Sequence, residues 1–476
     1  MANSLIHPEP QLRLELAAPS ISWADRLRRG IWPKPIVFWA VVFYIALFII
    51  RPWEQLFPEL GEFRFERIAV IVVALIVLLR RGPFVRFDAQ NTTMVLLFAS
   101  VYASGQNAWD TTISGEEVTE FFGFLLIFFL IQKAVKTPYQ LIFIVACYLM
   151  LTTAYTGKAI WEYAFNGATQ SMMGVDRLAG IEYTYGHPNT FGTTMLCSLP
   201  FALLFYRIRH QFCQTWPRRM EWIFKWTVIC HGLIAILGVM LTRSRSTTIG
   251  LVVCAGLIVI RRRGMANKVK WGAIAMVAML IGFALSPADI RHRLETLWNP
   301  MAEIKYNMGG SNESGKGRWD GLIAGIEIFD RFPATGVGIG CFAKYRGEFV
   351  DDIALDAHNL PGELLGEIGF FGTLAFSAFF LVHFITLRKL LKLGKEYEAL
   401  TGSKTYYWLG VALFDGMLLL MFSGLSGHTL QQYQWYFYAS FAITAFYFIR
   451  QEVVSARAQA MEDAEMSLYE SEAEFA

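Results

Sequence analysis

The sequence has 476 residues, of which 55% are hydrophobic and only 17% are charged, and its mean hydropathy is +0.39. Soluble globular proteins average about 25% charged residues, so this chain has too little charge to cover several water-exposed domains. The net charge is only +3, and Lys and Arg form short clusters between apolar runs instead of one basic face, which argues against nucleic-acid binding. These properties indicate an integral membrane protein.

The apolar runs have roughly the length of membrane-spanning helices. A bilayer core needs about 20 helical residues, and twelve runs along the chain approach this length. We therefore predict an all-α polytopic integral membrane protein with about twelve transmembrane helices. The predicted spans lie near 35–51, 65–80, 90–104, 118–132, 139–156, 190–206, 222–241, 247–261, 270–286, 369–387, 406–422 and 433–449.

The Lys and Arg clusters test this count independently, because short cytoplasmic loops carry an excess of positive charge. Such clusters occupy every second connection, as in 80–86, 207–219 and 261–270. The opposite connections near 105–117 and 423–432 contain neither Lys nor Arg. The alternation predicts that both termini are cytoplasmic.

Two segments predicted on the extracytoplasmic side are too long to be turns, and long loops often carry function. They are about 157–189 and about 287–368, the latter between spans 9 and 10. The second contains Trp319, Ile323 and Ile326 at helical spacing, which predicts an interfacial helix. The resulting division is a cytoplasmic N-terminal segment (1–34), spans 1–9 (35–286), an extracytoplasmic catalytic loop (287–368), spans 10–12 (369–449) and a cytoplasmic acidic tail (450–476).

Arg243 and Arg245 lie on the extracytoplasmic edge of a tight hairpin, where the positive-inside rule disfavours cations. Arg243 could offset the dipole of the preceding helix or extend toward lipid headgroups. Arg245 begins the next span, and a helix N-terminus is the wrong end for a cation unless an anion also binds there. Arg318 opens the predicted interfacial helix, where it could equally be a solvated charge.

Three histidines, His187, His358 and His428, each directly precede a predicted helix on the extracytoplasmic side. Asn359 can cap the helix that follows His358. The positive end of that helix disfavours imidazolium, so His358 should stay neutral and could act as a general base. A neutral histidine that satisfies a loop hydrogen bond is the alternative, chiefly for His187 and His428. Glu363 brings an acid close to His358, but no zinc-binding spacing is present, and we predict no metal site.

Taken together, these motifs resemble the O-antigen ligase and polysaccharide polymerase superfamily. The resemblance covers about residues 180–385 by motif and the rest by topology only. Ser246 follows Arg245 where relatives usually have Gly. The motifs are His187-Pro188-Asn189, Thr242-Arg243-Ser244-Arg245, Arg318-Trp319, Pro333-Ala334-Thr335-Gly336-Val337-Gly338, Ala357-His358-Asn359 and Glu367-Ile368-Gly369.

The resemblance implies an enzyme of the bacterial inner membrane that acts at the outer face of that membrane. Its donor would be a glycan linked to polyprenyl (undecaprenyl) diphosphate, and its acceptor the hydroxyl of a lipid or glycan. It implies no cofactor, and its partners would be the membrane and other polysaccharide assembly proteins. His358 would deprotonate the acceptor, and Arg245 and Arg318 would hold the diphosphate. The residues expected to assist are Arg243, His187, Asn189, Asn359 and Glu363.

The resulting hypothesis is an inverting, metal-independent glycosyltransferase, either an O-antigen ligase or an exopolysaccharide polymerase. A transporter or flippase of lipid-linked sugars is the alternative, since cationic residues near the interface also suit the passage of anionic lipids. Transporters usually place ionisable groups near the bilayer midplane, whereas here the notable residues lie outside the spans. A structural scaffold for polysaccharide assembly is the third interpretation, and the sequence leaves the acceptor and the sugar open.

Overall fold

The computed structural model describes residues 35–52, 59, 65–79, 87–172, 175–180, 186–285, 288–295 and 313–474, so the predicted N-terminal segment 1–34 lies outside the described residues. The described part is helical apart from one antiparallel hairpin, β1 (Gln170–Met172) and β2 (Val175–Arg177), in which Ser171 pairs with Asp176. Its helices are α1 (Ile36–Ile50), α2 (Phe65–Leu78), α3 (Ala89–Gln106), α4 (Thr111–Ala134), α5 (Pro138–Phe165), α6 (Pro188–Phe212), α7 (Arg218–Leu241), α8 (Arg245–Ile260), α9 (Met265–Leu285), α10 (Ala288–Glu295), α11 (Glu313–Arg331), α12 (Phe342–Phe349), α13 (Leu360–Thr401), α14 (Thr405–Gly424) and α15 (Gln434–Glu474).

Each of the twelve predicted spans overlaps a described helix. Six helices, α5, α6, α7, α9, α13 and α14, are long and apolar enough to cross a membrane by length and composition. The chain is therefore a helical membrane protein, and the count of twelve spans stays a prediction. The large loop between spans 9 and 10 contains three described helices, α10, α11 and α12.

The bundle is organised around α6 and α13. Helix α6 packs against α7 and α14, while α13 packs against α3, α11, α14 and α15. The core between them is rich in aromatic side chains such as Tyr148, Tyr436 and Phe124, the last two stacked with ring centroids 5.1 Å apart. Aromatic pairs with these geometries add stability beyond their buried area. This packed core therefore holds the helices, and with them their ends, in fixed positions.

Helix α13 is kinked at Gly369, whose φ of 61° lies in the left-handed region. The kink redirects backbone groups to the loop 333–338: Phe370 N donates to Pro333 O at 2.8 Å, and Val337 N donates to Gly366 O at 2.8 Å. A Cβ on Gly369 would lie 2.4 Å from Gly336 N, so glycine is required for both φ and space. Two of the sequence motifs, 333–338 and 367–369, are thus the two sides of one backbone junction.

Helix α11 forms as predicted; Ala324 and Ile328 are buried on one face of it, whereas three of its large apolar residues are exposed. Trp319, Ile323 and Ile326 are 64%, 48% and 45% exposed. The face packed on α13 is made of small residues: a Cβ on Gly321 would lie 2.2 Å from Ala357 O, and one on Gly325 would lie 2.6 Å from Gly362 O. Small residues allow this close backbone approach, which brings the first turns of α11 against the segment that contains His358.

Candidate active site

A polar pocket lies where several helix ends meet. Four helices begin at this end of the bundle, α6, α8, α13 and α15, and α14 ends there. The charge alternation predicts that these helix ends lie on the extracytoplasmic side. The pocket is a small cleft of about 10 Å³ that is partly open to solvent. Three histidines line it, His187, His358 and His428, together with side chains that carry hydroxyl or amide groups. Those are Asn189, Thr190, Thr193, Ser246, Ser423, Ser426, Thr429 and Gln432.

His358 is held in place by its two neighbours. Its own backbone has φ 51°, a left-handed conformation that a non-glycine residue adopts only when its surroundings enforce it. Asn359 supplies the constraint: its Oδ1 accepts from Gly362 N at 2.8 Å as the cap of α13, and its Nδ2 donates to Arg318 O at 2.9 Å and to Ala357 O at 2.7 Å. Asn359 therefore fixes the start of α11 and the His358 turn to each other.

The surroundings favour neutral imidazole at His358. Burial lowers the pKa of His358, the nearby His428 and Arg318 lower it further, and Asp356 opposes them. The ring centroids of His358 and His428 are 5.8 Å apart, and Asp356 Oδ2 lies 4.0 Å from His428 Nδ1. A neutral imidazole with access to a pocket is able to accept a proton from a bound hydroxyl group.

His187 caps α6: its Nδ1 accepts from Asn189 N at 3.2 Å. Burial is the main cause that lowers the pKa of His187 to about 3, with His428 adding to it. Asn189 Oδ1 in turn accepts from Arg177, whose Nε also donates to Thr242 O at 2.8 Å. His187 and Asn189 thus line the pocket, and Arg177 ties them to the turn that carries Arg243 and Arg245.

The arginines divide into two groups. Burial and the neighbouring Arg245 guanidinium lower the pKa of Arg318, which places these two cations close to each other, and Arg318 is close enough to His358 to act on its pKa. Ser246, the residue after Arg245, lines the pocket. Arg243 has a left-handed φ of 52°, and its Nη2 lies 3.5 Å from the hydroxyl of Tyr163 near the end of α5. Arg318 thus lies within electrostatic reach of both Arg245 and His358, whereas Arg243 extends toward α5.

Glu363 lies in the first turn of α13 but its side chain faces the loop 425–433. Its Oε2 accepts from Thr429 N at 2.9 Å and from Leu430 N at 3.2 Å. The same loop carries His428 and is further held by Trp435 Nε1, which donates to Thr429 O at 3.0 Å. Glu363 is 7% exposed, so its carboxyl group holds the His428 loop against the His358 turn from inside the protein.

We expect Glu363→Ala to loosen this loop, because two buried N–H groups would lose their acceptor. The cost of two unpaired buried donors predicts a loss of about 3 kcal/mol in the free energy of unfolding. Thermal unfolding of the purified variant in detergent measures this loss. Glu363→Gln, which keeps a carbonyl acceptor, should retain most of the stability; equal melting temperatures for Glu363→Ala and the wild type would contradict this role.

Sequence reasoning missed part of the site. Arg177 was not singled out, since a lone arginine in a long loop carries no local signal. Thr429 and Gln432 were also missed, because hydroxyl and amide residues near a span end are common. His428 was left open between a loop histidine and a functional one, and the structure places it between the other two imidazoles, 6.1 Å from His187 by ring centroids.

The fold and pocket define a helical membrane protein with a histidine- and arginine-bearing site at one end of its bundle. Residues 232–377 match the family model described as O-antigen ligase, which confirms the resemblance to that superfamily. This match covers less than a third of the chain and supports an O-antigen ligase-type function in the broad sense. A search of curated proteins found no match. The matched segment contains Arg243, Arg245, Arg318, His358 and Glu363, whereas His187 and His428 lie outside it.

Proposed function

We propose that this protein is an inverting glycosyltransferase that moves a glycan from a polyprenyl diphosphate carrier to an acceptor hydroxyl group. One observation carries the proposal: a histidine whose surroundings favour the neutral form lines a polar pocket, and Arg318, which Arg245 neighbours, lies close enough to lower the pKa of that histidine. Asn359 bonds the carbonyl of Arg318 next to His358, and Ser246 brings the start of α8 to the same pocket. The family match over residues 232–377 supports the class of substrate.

In the proposed reaction the acceptor oxygen attacks the anomeric carbon while its proton passes to His358. A new C–O bond forms as the bond from the anomeric carbon to the diphosphate oxygen breaks, and the electron pair leaves with the diphosphate. Arg318 and Arg245 stabilise that departing charge, a task for which bidentate guanidinium groups are suited. Attack and departure on opposite faces of the sugar invert the anomeric centre, as in inverting glycosidases.

Two of the polar groups inside the helices, His231 and Asp415, support transfer over transport. His231 is fully buried and bonded on both sides, by Thr153 Oγ1 at 2.7 Å and Ser198 Oγ at 2.9 Å. Asp415 is paired with Arg261. These contacts join helices to one another, and buried groups that are already paired are poor binding sites for a moving substrate.

The test is transfer by purified protein in lipid nanodiscs supplied with undecaprenyl diphosphate-linked glycan and a separate acceptor glycan. Product that contains the acceptor supports the proposal, and movement of the lipid-linked glycan across the bilayer without transfer overturns it. The species that accumulates in a deletion strain then separates the two forms of the reaction. Lipid-linked single repeats indicate a polymerase, and long lipid-linked chains indicate a ligase.

We predict that EDTA leaves the transfer rate within about twofold of the untreated rate, because guanidinium groups can stabilise the diphosphate without a metal. Among the described residues, no group of three or more His, Cys, Asp or Glu side chains could hold a metal ion. Transfer is measured before and after dialysis against EDTA, with added Mg²⁺ as the comparison. A loss of activity that Mg²⁺ restores would contradict the metal-independent mechanism.

A further inference from the structure

The pocket differs in chemistry from the arginine pair beside it. No Lys, Arg, Asp or Glu is among its lining residues in the described part of the chain. Its polar side chains are hydroxyls, amides and imidazoles, and two of the imidazoles, His187 and His358, are in surroundings that favour the uncharged form. A pocket of neutral donors and acceptors is poorly matched to a diphosphate, which calls for cations. It is well matched to a neutral ligand with many hydroxyl groups.

Three lining residues carry buried polar atoms that lack hydrogen-bond partners among the described residues, and one of these atoms is His428 Nδ1. Among the described residues, Thr429 Oγ1 and Gln432 Oε1 are shielded from solvent and have no hydrogen-bond partner. Thr429 and Gln432 are 1% and 7% exposed. An unsatisfied buried polar group costs about 1–3 kcal/mol, so each such group needs a reason. A ligand in the pocket would supply the missing partners.

The backbone groups around these two residues are hydrogen-bonded within the protein. The missing partners therefore concern only the side-chain atoms. Thr429 N donates to Glu363, and Thr429 O accepts from Trp435 Nε1 and from Gln432 N at 3.0 Å. The loop is therefore held rigidly by groups other than the Thr429 hydroxyl and the Gln432 carbonyl. Preorganised polar groups of this kind discriminate strongly for ligands that satisfy them.

We propose that Thr429 and Gln432 form a sugar-hydroxyl subsite, separate from the diphosphate-binding arginines, that positions a glycan against His358. The inference rests on the proposed function for which glycan binds. The match between sugar hydroxyl groups and the neutral polar groups of the pocket does not depend on that function. Sugar hydroxyls could come from the acceptor or from the first sugar of the donor. Because His358 lines the same pocket, the structure favours the acceptor.

The test uses two variants that each remove one unpaired atom with little change of shape, Thr429→Val and Gln432→Met. Binding of two probes to protein in nanodiscs is measured: undecaprenyl diphosphate, and the repeat-unit oligosaccharide released by mild acid from the source strain's lipid-linked glycan. We expect each variant to weaken oligosaccharide binding about 3- to 10-fold, the loss of one neutral hydrogen bond, and to leave diphosphate binding unchanged. Melting temperatures should not fall, because the removed atoms make no bond within the described protein.

Two matched controls make the same chemical changes elsewhere. Thr373 Oγ1 and both amide atoms of Gln90 are also buried without partners among the described residues, and neither residue lines the pocket. Thr373→Val and Gln90→Met should bind both probes as the wild type does. Unchanged oligosaccharide affinity in Thr429→Val and Gln432→Met, or an equal loss of diphosphate affinity, would overturn the subsite.

Steady-state transfer then identifies the source of the sugar. A rise in KM for the acceptor with kcat little changed assigns the pocket to the acceptor, and a rise in KM for the donor assigns it to the donor sugar. These binding results do not depend on catalysis. Failure of the subsite leaves the transferase proposal standing, whereas movement of the lipid-linked glycan without transfer removes the transferase proposal without altering the binding data.

Discussion

Replacing His358 by Ala is expected to reduce glycan transfer about 10²- to 10⁴-fold, the range that a general base contributes. The variant loses the imidazole that faces the pocket while Asn359 continues to cap α13 and to bond Arg318 O. Membrane abundance and melting temperature should therefore remain close to those of the wild type. Transfer from undecaprenyl diphosphate-linked glycan by purified protein measures the effect.

His210→Ala is the matched control, because His210 is an exposed histidine whose Nδ1 lies 2.5 Å from Glu221 Oε1, far along α6 from the pocket. It should transfer at the wild-type rate. Wild-type activity in His358→Ala would remove His358 from the mechanism.

The pH dependence of the rate provides a second readout of His358. A base works in its deprotonated form, so the rate falls as the pH drops through its pKa. The pKa of His358 is lowered by burial, His428 and Arg318, so the acid limb should lie below the ordinary histidine value of 6.5. Asp356 opposes this by raising the pKa of His358, and Asp356→Asn should shift the acid limb further down. A limb that does not move in this variant would argue against His358 as the titrating base.

Arg318→Gln and Arg245→Gln are expected to produce the second large loss, about 10²- to 10³-fold in transfer, as for removal of one group that stabilises charge in a transition state. The two guanidinium groups are close enough for Arg245 to lower the pKa of Arg318. A diphosphate between them would offset their mutual repulsion. Lysine variants should recover only part of the rate, because lysine cannot form the bidentate contact.

The double variant separates a shared role from two independent ones. If both arginines hold one diphosphate, the losses should not add, and the double-mutant cycle should give a coupling energy above about 0.5 kcal/mol. Arg331→Gln is the control on the same helix: Arg331 is bonded to Glu327 at 2.6 Å on the protein surface. Additive losses, or an equal loss in Arg331→Gln, would contradict a common diphosphate site.

Much of the fold could be predicted because its signals are local. A span is recognised from about 20 neighbouring residues, and the Lys and Arg clusters lie directly beside the spans they orient. Each predicted span accordingly overlaps a described helix. His358 and Asn359 could be placed at the start of a helix for the same reason, since capping depends on residues a few positions apart.

The contacts that join distant segments could not be read in this way. The sequence shows that residue 369 is a glycine. Only the structure shows that its φ is positive and that its backbone lies directly against the loop at Gly336. The apolar residues of α11 predicted an interfacial helix, but they did not reveal that Gly321 and Gly325 bring this helix against the His358 segment. Close backbone approach depends on the shape of the partner, which hydrophobic periodicity does not describe.

By itself the sequence predicted a helical membrane protein that resembles the O-antigen ligases, and it predicted which histidines and arginines lie at helix ends. Only the tertiary structure decided which of them come together: His187, His358 and His428 line one pocket. Arg318 lies within electrostatic reach of His358 and Arg245, and Arg243 is directed toward Tyr163. The tertiary structure also brought His428, Thr429 and Gln432 to His358 through the carboxyl group of Glu363, 66 residues before Thr429 in the chain. Helix packing fixes such distances, and no local pattern of residues encodes them.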